Sequence, residues 1–71
     1  MYKIYETLRD EREMLDVDVA EEAKISQAIL TRWKSGKAKP KYETVEKIAK
    51  VFRVPTSVFY ESEVANEDQH S

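Results

Sequence analysis

The sequence predicts an all-α fold, and three observations carry that prediction. The 71 residues hold one Gly and two Pro, while the helix formers Glu, Lys and Ala abound. Apolar residues return at three- and four-residue spacings in successive segments, which marks amphipathic helices rather than the alternation of a strand. Residues that start and stop helices stand between these segments, Ser26 and Gly36 forming the clearest pair.

The first helix is expected over about residues 2–13, where Ile4, Tyr5 and Leu8 form a narrow apolar stripe among charges. A short second helix follows over 16–23, with Asp16 as N-cap and Val19, Ala20 and Ala23 on one face. The third runs from Ser26, whose hydroxyl can cap free N–H groups, to Gly36, suited to a left-handed stop. The fourth spans about 41–52, with Tyr42, Val45, Ile48, Ala49 and Phe52 at helical spacing. Glu43 with Lys47 and Glu46 with Lys50 supply i,i+4 pairs on its outer side. Pro55 opens a fifth, short helix that returns Val58 and Phe59 to the core. The domain is thus expected over 1–61. The polar, acidic residues 62–71, which lack periodicity, read as a disordered tail.

So short a chain builds one small domain with a modest core. It has no Cys, so disulfides and thiolate metal sites are excluded. No segment approaches the roughly 18 apolar residues of a membrane span, and "MYKIYETLRDERE" is too charged for a signal peptide, so a cytoplasmic protein is expected. The sole His, His70, lies in the expected tail, and the carboxylates have neither a nucleophile–base pair nor a Gly-rich loop beside them. Neither an enzyme, a metal site nor a cofactor is expected.

Charge is unevenly distributed. The formal net charge is −2, yet residues 1–23 hold 3 basic and 8 acidic groups, 24–53 hold 9 and 2, and 54–71 hold 0 and 4. The middle third therefore carries +7 between two acidic segments. "ILTRWKSGKAKPK" places Arg32, Lys34, Lys37, Lys39 and Lys41 within ten residues that contain no acid. Such a stripe can form an electrostatic footprint for nucleic acid in a chain that is acidic on average.

Only "KIS" separates the second and third helices, so the two must cross steeply, as in a helix-turn-helix. At about 100° per residue, Ile29, Leu30 and Trp33 share one side of the third helix, while Gln27, Ala28, Thr31 and Arg32 share the other. That outward set suits a DNA major groove: Gln can pair bidentately with adenine, Arg with guanine, and the methyls of Ala and Thr can meet the thymine methyl. Arg32 has a second reading as a phosphate contact. Trp33, spaced with Leu30, reads as core rather than as a stacking platform.

These residues resemble the Cro and lambda-repressor-like helix-turn-helix family over about residues 4–60, on "VAEEAKISQAILTRWKSGKAKP" followed by "YETVEKIAKVF". Val19 and Ala20 stand at the family's Leu-Ala pair, Ile25 and Ser26 at its turn, Leu30 and Trp33 at two core positions, and Gly36 and Pro40 after the helix. The resemblance implies a compact five-helix lambda-repressor-like domain. Its DNA-contacting residues would be Ser26, Gln27, Ala28, Thr31 and Arg32 on the recognition helix, with Lys34, Lys37, Lys39 and Lys41 toward the phosphate backbone. Three residues depart from the pattern. Lys24 replaces a Gly at the turn, where φ is positive, and Lys34 replaces a frequent Glu. Asp16 stands where related repressors carry Gln or Ser near DNA.

Two functions compete. One is a sequence-specific repressor of phage, plasmid or mobile-element type that binds double-stranded DNA as a homodimer, with Pro55–Tyr60 as the self-association surface. The other is a modulator, corepressor or antirepressor that binds a heterologous repressor protein, with Asp16, Asp18 and Glu22 meeting the partner's basic face.

Overall fold

Among residues 1–60, which the computed structural model describes, the chain forms α1 (Tyr2–Glu11), α2 (Asp16–Ala23), α3 (Gln27–Ser35) and α4 (Tyr42–Phe52). A single 3-10 turn, Thr56–Phe59, follows. The short fifth helix expected from Pro55 takes the form of a four-residue 3-10 helix rather than an α-helix. Pro55 is the cap outside that turn, and i→i+3 bonds run from the Val58 N–H to the Pro55 carbonyl (3.1 Å) and from the Tyr60 N–H to the Ser57 carbonyl (3.0 Å). The tail expected over 62–71 lies outside the described residues.

Helix α1 ends two residues earlier than expected because Glu13 takes a left-handed φ of 53°. The Met14 N–H then turns back to the Arg9 carbonyl at 3.1 Å. The N-cap of α2 is Leu15, not Asp16. Leu15 has no side-chain oxygen, so only the reciprocal arm of a capping box exists, with the Asp18 carboxylate accepting the Leu15 N–H at 2.9 Å. Helix α2 stops at Lys24 (φ 58°), the left-handed turn position read from the sequence, where the Ile25 N–H reaches the Ala20 carbonyl at 3.0 Å. In α3 the Ser26 hydroxyl accepts the Ala28 N–H at 3.2 Å, and Gly36 ends the helix at φ 79°. Helix α4 is capped by Lys41 and stops at a third charged left-handed residue, Arg53 (φ 59°).

The core gathers Tyr5 from α1, Val19, Ala20 and Ala23 from α2, Leu30 and Trp33 from α3, four residues of α4, and Phe59. Burying each large side chain contributes about 1.5–3 kcal/mol. Trp33 sits amid aromatic rings, with centroids 5.3 Å from Tyr5, 5.6 Å from Tyr2 and 6.5 Å from Phe59. Arg12 ties α1 to the end of α4: its guanidinium donates to the Leu8 and Phe52 carbonyls, both at 3.0 Å, and lies over the Phe52 ring.

Four further expectations change. Ile29 is half-buried, at the margin of the core rather than within it. Tyr42 is 59% exposed, because the first residue of α4 overhangs the core's edge. Phe59 is fully buried within its own chain, which removes the largest apolar side chain from the expected self-association surface. The i,i+4 pairs of α4 do not close: the four ion pairs among the described residues all involve α1 or the Arg12 that follows it. Exposed pairs gain little in water, which leaves these side chains solvated.

Candidate nucleic-acid interface

Helices α2 and α3, joined through Lys24, Ile25 and Ser26, form the helix-turn-helix. The two faces of α3 separate cleanly. Leu30 is fully buried and Trp33 4% exposed, whereas Gln27, Ala28, Thr31, Arg32 and Lys34 are exposed. Burial of Leu30 and Trp33 fixes the helix rotation, and that rotation turns the opposite side chains outward. Some of their polar groups serve the helix itself. The Ser26 hydroxyl caps it, and the Thr31 hydroxyl donates to the Gln27 carbonyl at 3.4 Å.

After Gly36 the chain folds back toward α4 and leaves a cleft of about 350 Å³. Arg32 and Ile29 line it from α3, Lys39, Pro40 and Lys41 from the loop, and Thr44 from α4. Three of the expected cationic residues, Arg32, Lys39 and Lys41, thus converge on one concavity. Lys34 and Lys37 are exposed outside it. No ion pair among the described residues engages Arg32, Lys34, Lys37 or Lys41. Helical periodicity gives Thr44 no role, and it joins the cleft only through the path of the chain past Pro40 into α4.

The three acids expected to meet a protein partner do not act alike. Asp16 faces inward, with its carboxylate accepting the Tyr5 hydroxyl at 2.6 Å and the Arg9 guanidinium at 2.9 Å; its side chain is 23% exposed. It joins α1 to α2 and is not available as a docking acid, which corrects that expectation. Asp18 is exposed but holds the Leu15 N–H. Glu22 shares a shallow groove with Lys47, Lys50 and Arg53, whose charges offset its own.

The network around Asp16 perturbs its neighbours. Burial, then the hydrogen bond to Asp16, pushes the Tyr5 phenol well above the usual tyrosine range. Arg9, bonded to Asp10 and then to Asp16, is held more firmly protonated than an ordinary arginine. Tyr2 is raised chiefly by burial, and its hydroxyl is enclosed without a hydrogen-bond partner.

Among the described residues, no group of three or more His, Cys, Asp or Glu could hold a metal ion, and no helix is long and apolar enough to cross a membrane. No curated protein and no solved structure matches the chain closely enough to be compared with it. A family profile described as Helix-turn-helix matches residues 6–59, from within α1 to the last residue of the 3-10 turn. With Leu30 and Trp33 buried behind an exposed polar face of α3, the chain belongs to the Cro/lambda-repressor-like, XRE-type helix-turn-helix family of DNA-binding regulators.

Proposed function

We propose that the protein is a sequence-specific repressor of phage or plasmid type. On this reading α3 enters the major groove, Gln27, Ala28, Thr31 and Arg32 meet base edges, and Lys34, Lys37, Lys39 and Lys41 meet phosphates. The observation that carries it is the division of α3: two core anchors are buried, and the base-reading residue types are exposed beside a cationic cleft. Phosphate contacts supply affinity and position, while base contacts supply the sequence preference. Two copies on a palindromic site would double both. Selection of duplexes from a random library tests the reading, with enrichment of a short, two-fold-symmetric sequence as the expected result. Recovery of no preferred sequence counts against it.

One observation favours the second reading, a protein partner. At the start of α2, Leu15 is 67% and Val17 42% exposed, beside Asp18. Apolar side chains flanked by acid suit a basic protein surface, where apolar contact supplies affinity and charge speeds encounter. This surface replaces the Asp16, Asp18 and Glu22 set, with Asp18 alone retained. Replacing Leu15 and Val17 by Ser should then weaken a heterologous repressor complex while leaving duplex binding intact.

A further inference from the structure

The repressor reading leaves a groove on α1 unused. Lys3, Ile4, Thr7, Leu8 and Glu11 line it, around a space of about 250 Å³. Ile4 and Leu8 are half-buried against the core, so the middle of the groove is apolar. The Thr7 hydroxyl donates to the Lys3 carbonyl at 2.9 Å, which meets its hydrogen bonding within the helix. Lys3 and Glu11 stand at the two ends with opposite charge. None of the five lines the cationic cleft or belongs to α3.

This order of residues complements an antiparallel copy of itself. At 1.5 Å per residue, Lys3 and Glu11 lie about 6 Å on either side of Thr7. A two-fold axis at Thr7 therefore brings Lys3 level with the partner's Glu11, and Glu11 level with the partner's Lys3, so that two ion pairs close. Between them Ile4, the partner's Leu8, Leu8 and the partner's Ile4 follow at steps of about 3 Å, so the apolar side chains interdigitate. Thr7 at the axis is small enough to let the helices approach. A parallel copy would set Lys3 against Lys3 and Glu11 against Glu11, and that like-charge contact selects the antiparallel arrangement.

We infer that the groove on α1 is the contact between two copies of this chain, paired antiparallel about Thr7. The pairing supplies the two copies that the repressor reading sets on a palindromic site; only that use rests on DNA binding. Within one chain Lys3 meets Glu6 at 3.2 Å and Glu11 meets Arg12 at 3.7 Å, but the Lys3 and Glu11 side chains are 87% and 64% exposed, so both contacts exchange at little cost. The other apolar surfaces suit a second copy less. Phe59 is withdrawn into the core, and around the exposed Leu15 and Val17 residues 13–23 hold no Lys or Arg to answer their own acids. One face of the ten-residue α1 is smaller than the roughly 800 Å² per partner of a stable interface, so pairing is weak, with a dissociation constant on the order of 100 µM.

Sedimentation of the full chain without DNA, over a concentration series, reads the pairing. Glu11→Lys and Lys3→Glu lie at exposed positions, and circular dichroism checks that each variant folds. Each should weaken self-association about tenfold, since attraction becomes repulsion at both symmetry-related contacts. The double variant, Lys3→Glu with Glu11→Lys, restores opposite charges at the parent's net charge and should recover the association. An equimolar mixture of the two single variants should recover it as well. Glu21→Lys makes the same charge change outside the groove and should not weaken it. NMR amide shifts on dilution should centre on residues 3–11. A chain that stays monomeric to about 1 mM, tenfold above the expected midpoint, overturns the inference. So does a Glu11→Lys variant that pairs as the parent does, a double variant that stays apart, or dilution shifts centred on 55–60. A monomer that still selects a DNA sequence leaves the repressor reading standing without this contact, and a dimer that binds no duplex leaves the contact standing without that reading.

Discussion

The Tyr5 hydroxyl donates to the Asp16 carboxylate at 2.6 Å, joining the middle of α1 to the first turn of α2. A hydrogen bond to a charged group contributes about 1.5–3 kcal/mol. Arg9 also holds Asp16, so Tyr5→Phe should lose only part of that and leave the fold intact. The same variant tests a pH dependence. The folded state raises the Tyr5 pKa, so its contribution is complete below pH about 10 and declines above it, where the unfolded chain ionises and the folded chain does not. Urea melts from pH 9 to 11 should show stability falling more steeply in the parent than in Tyr5→Phe, the extra loss amounting to about 1.4 kcal/mol across that range. Parallel curves would mean that Tyr5 is not protected from ionisation.

Leu30 anchors α3 from inside. Leu30→Ala should cost about 2–5 kcal/mol, enough to unfold much of so small a domain. Thermal melts check it; a midpoint near that of the parent would place Leu30 outside the core.

Base preference and phosphate affinity should separate under mutation. Gln27→Ala is expected to cost about 1–3 kcal/mol on the best site and relax selectivity at one base pair. Lys37→Ala should weaken all duplexes alike and reduce the salt slope by about 0.9. Binding titrations on a panel of single-base variants at two salt concentrations distinguish the two patterns. Unaltered base preference in Gln27→Ala would remove that residue from the reading face.

The left-handed turn at Lys24 carries a cost that a glycine would relieve. A non-Gly residue there loses about 1–2 kcal/mol locally, and glycine's larger unfolded-state entropy returns part of it. Lys24→Gly should therefore gain about 0.5–1 kcal/mol, or several degrees in Tm for a domain of this size. A lower Tm would mean that the Lys24 side chain makes a stabilising contact.

Much of the helix-turn-helix was legible because its signals are local. Ser26 and Gly36 mark the ends of α3, the Leu30–Trp33 spacing sets its inward side, and the Gly-to-Lys departure at Lys24 coincides with a positive φ. The errors fall where distant segments meet. Asp16 looked like a cap because caps are often Asp, but Tyr5 and Arg9, one helical turn apart on α1, draw it inward. Helical periodicity placed Tyr42 inside, yet the pattern does not record where the core ends, and Tyr42 stacks on Tyr60 at its margin. The cleft depends on the path of the loop from Gly36 to Lys41, which no periodicity describes.

The placement of Trp33 among Tyr2, Tyr5 and Phe59 makes the molecule its own optical gauge. It is the chain's one indole and almost wholly shielded from water, so its fluorescence should be blue-shifted in the folded state and move to the red on unfolding. Neighbouring tyrosines can pass it their excitation while packing holds. Because it faces away from Gln27 and Arg32, the emission should report the integrity of α3 and change little with what meets the helix's exposed side. Loss of binding with that signal intact can then be assigned to the surface, and loss of both to the fold.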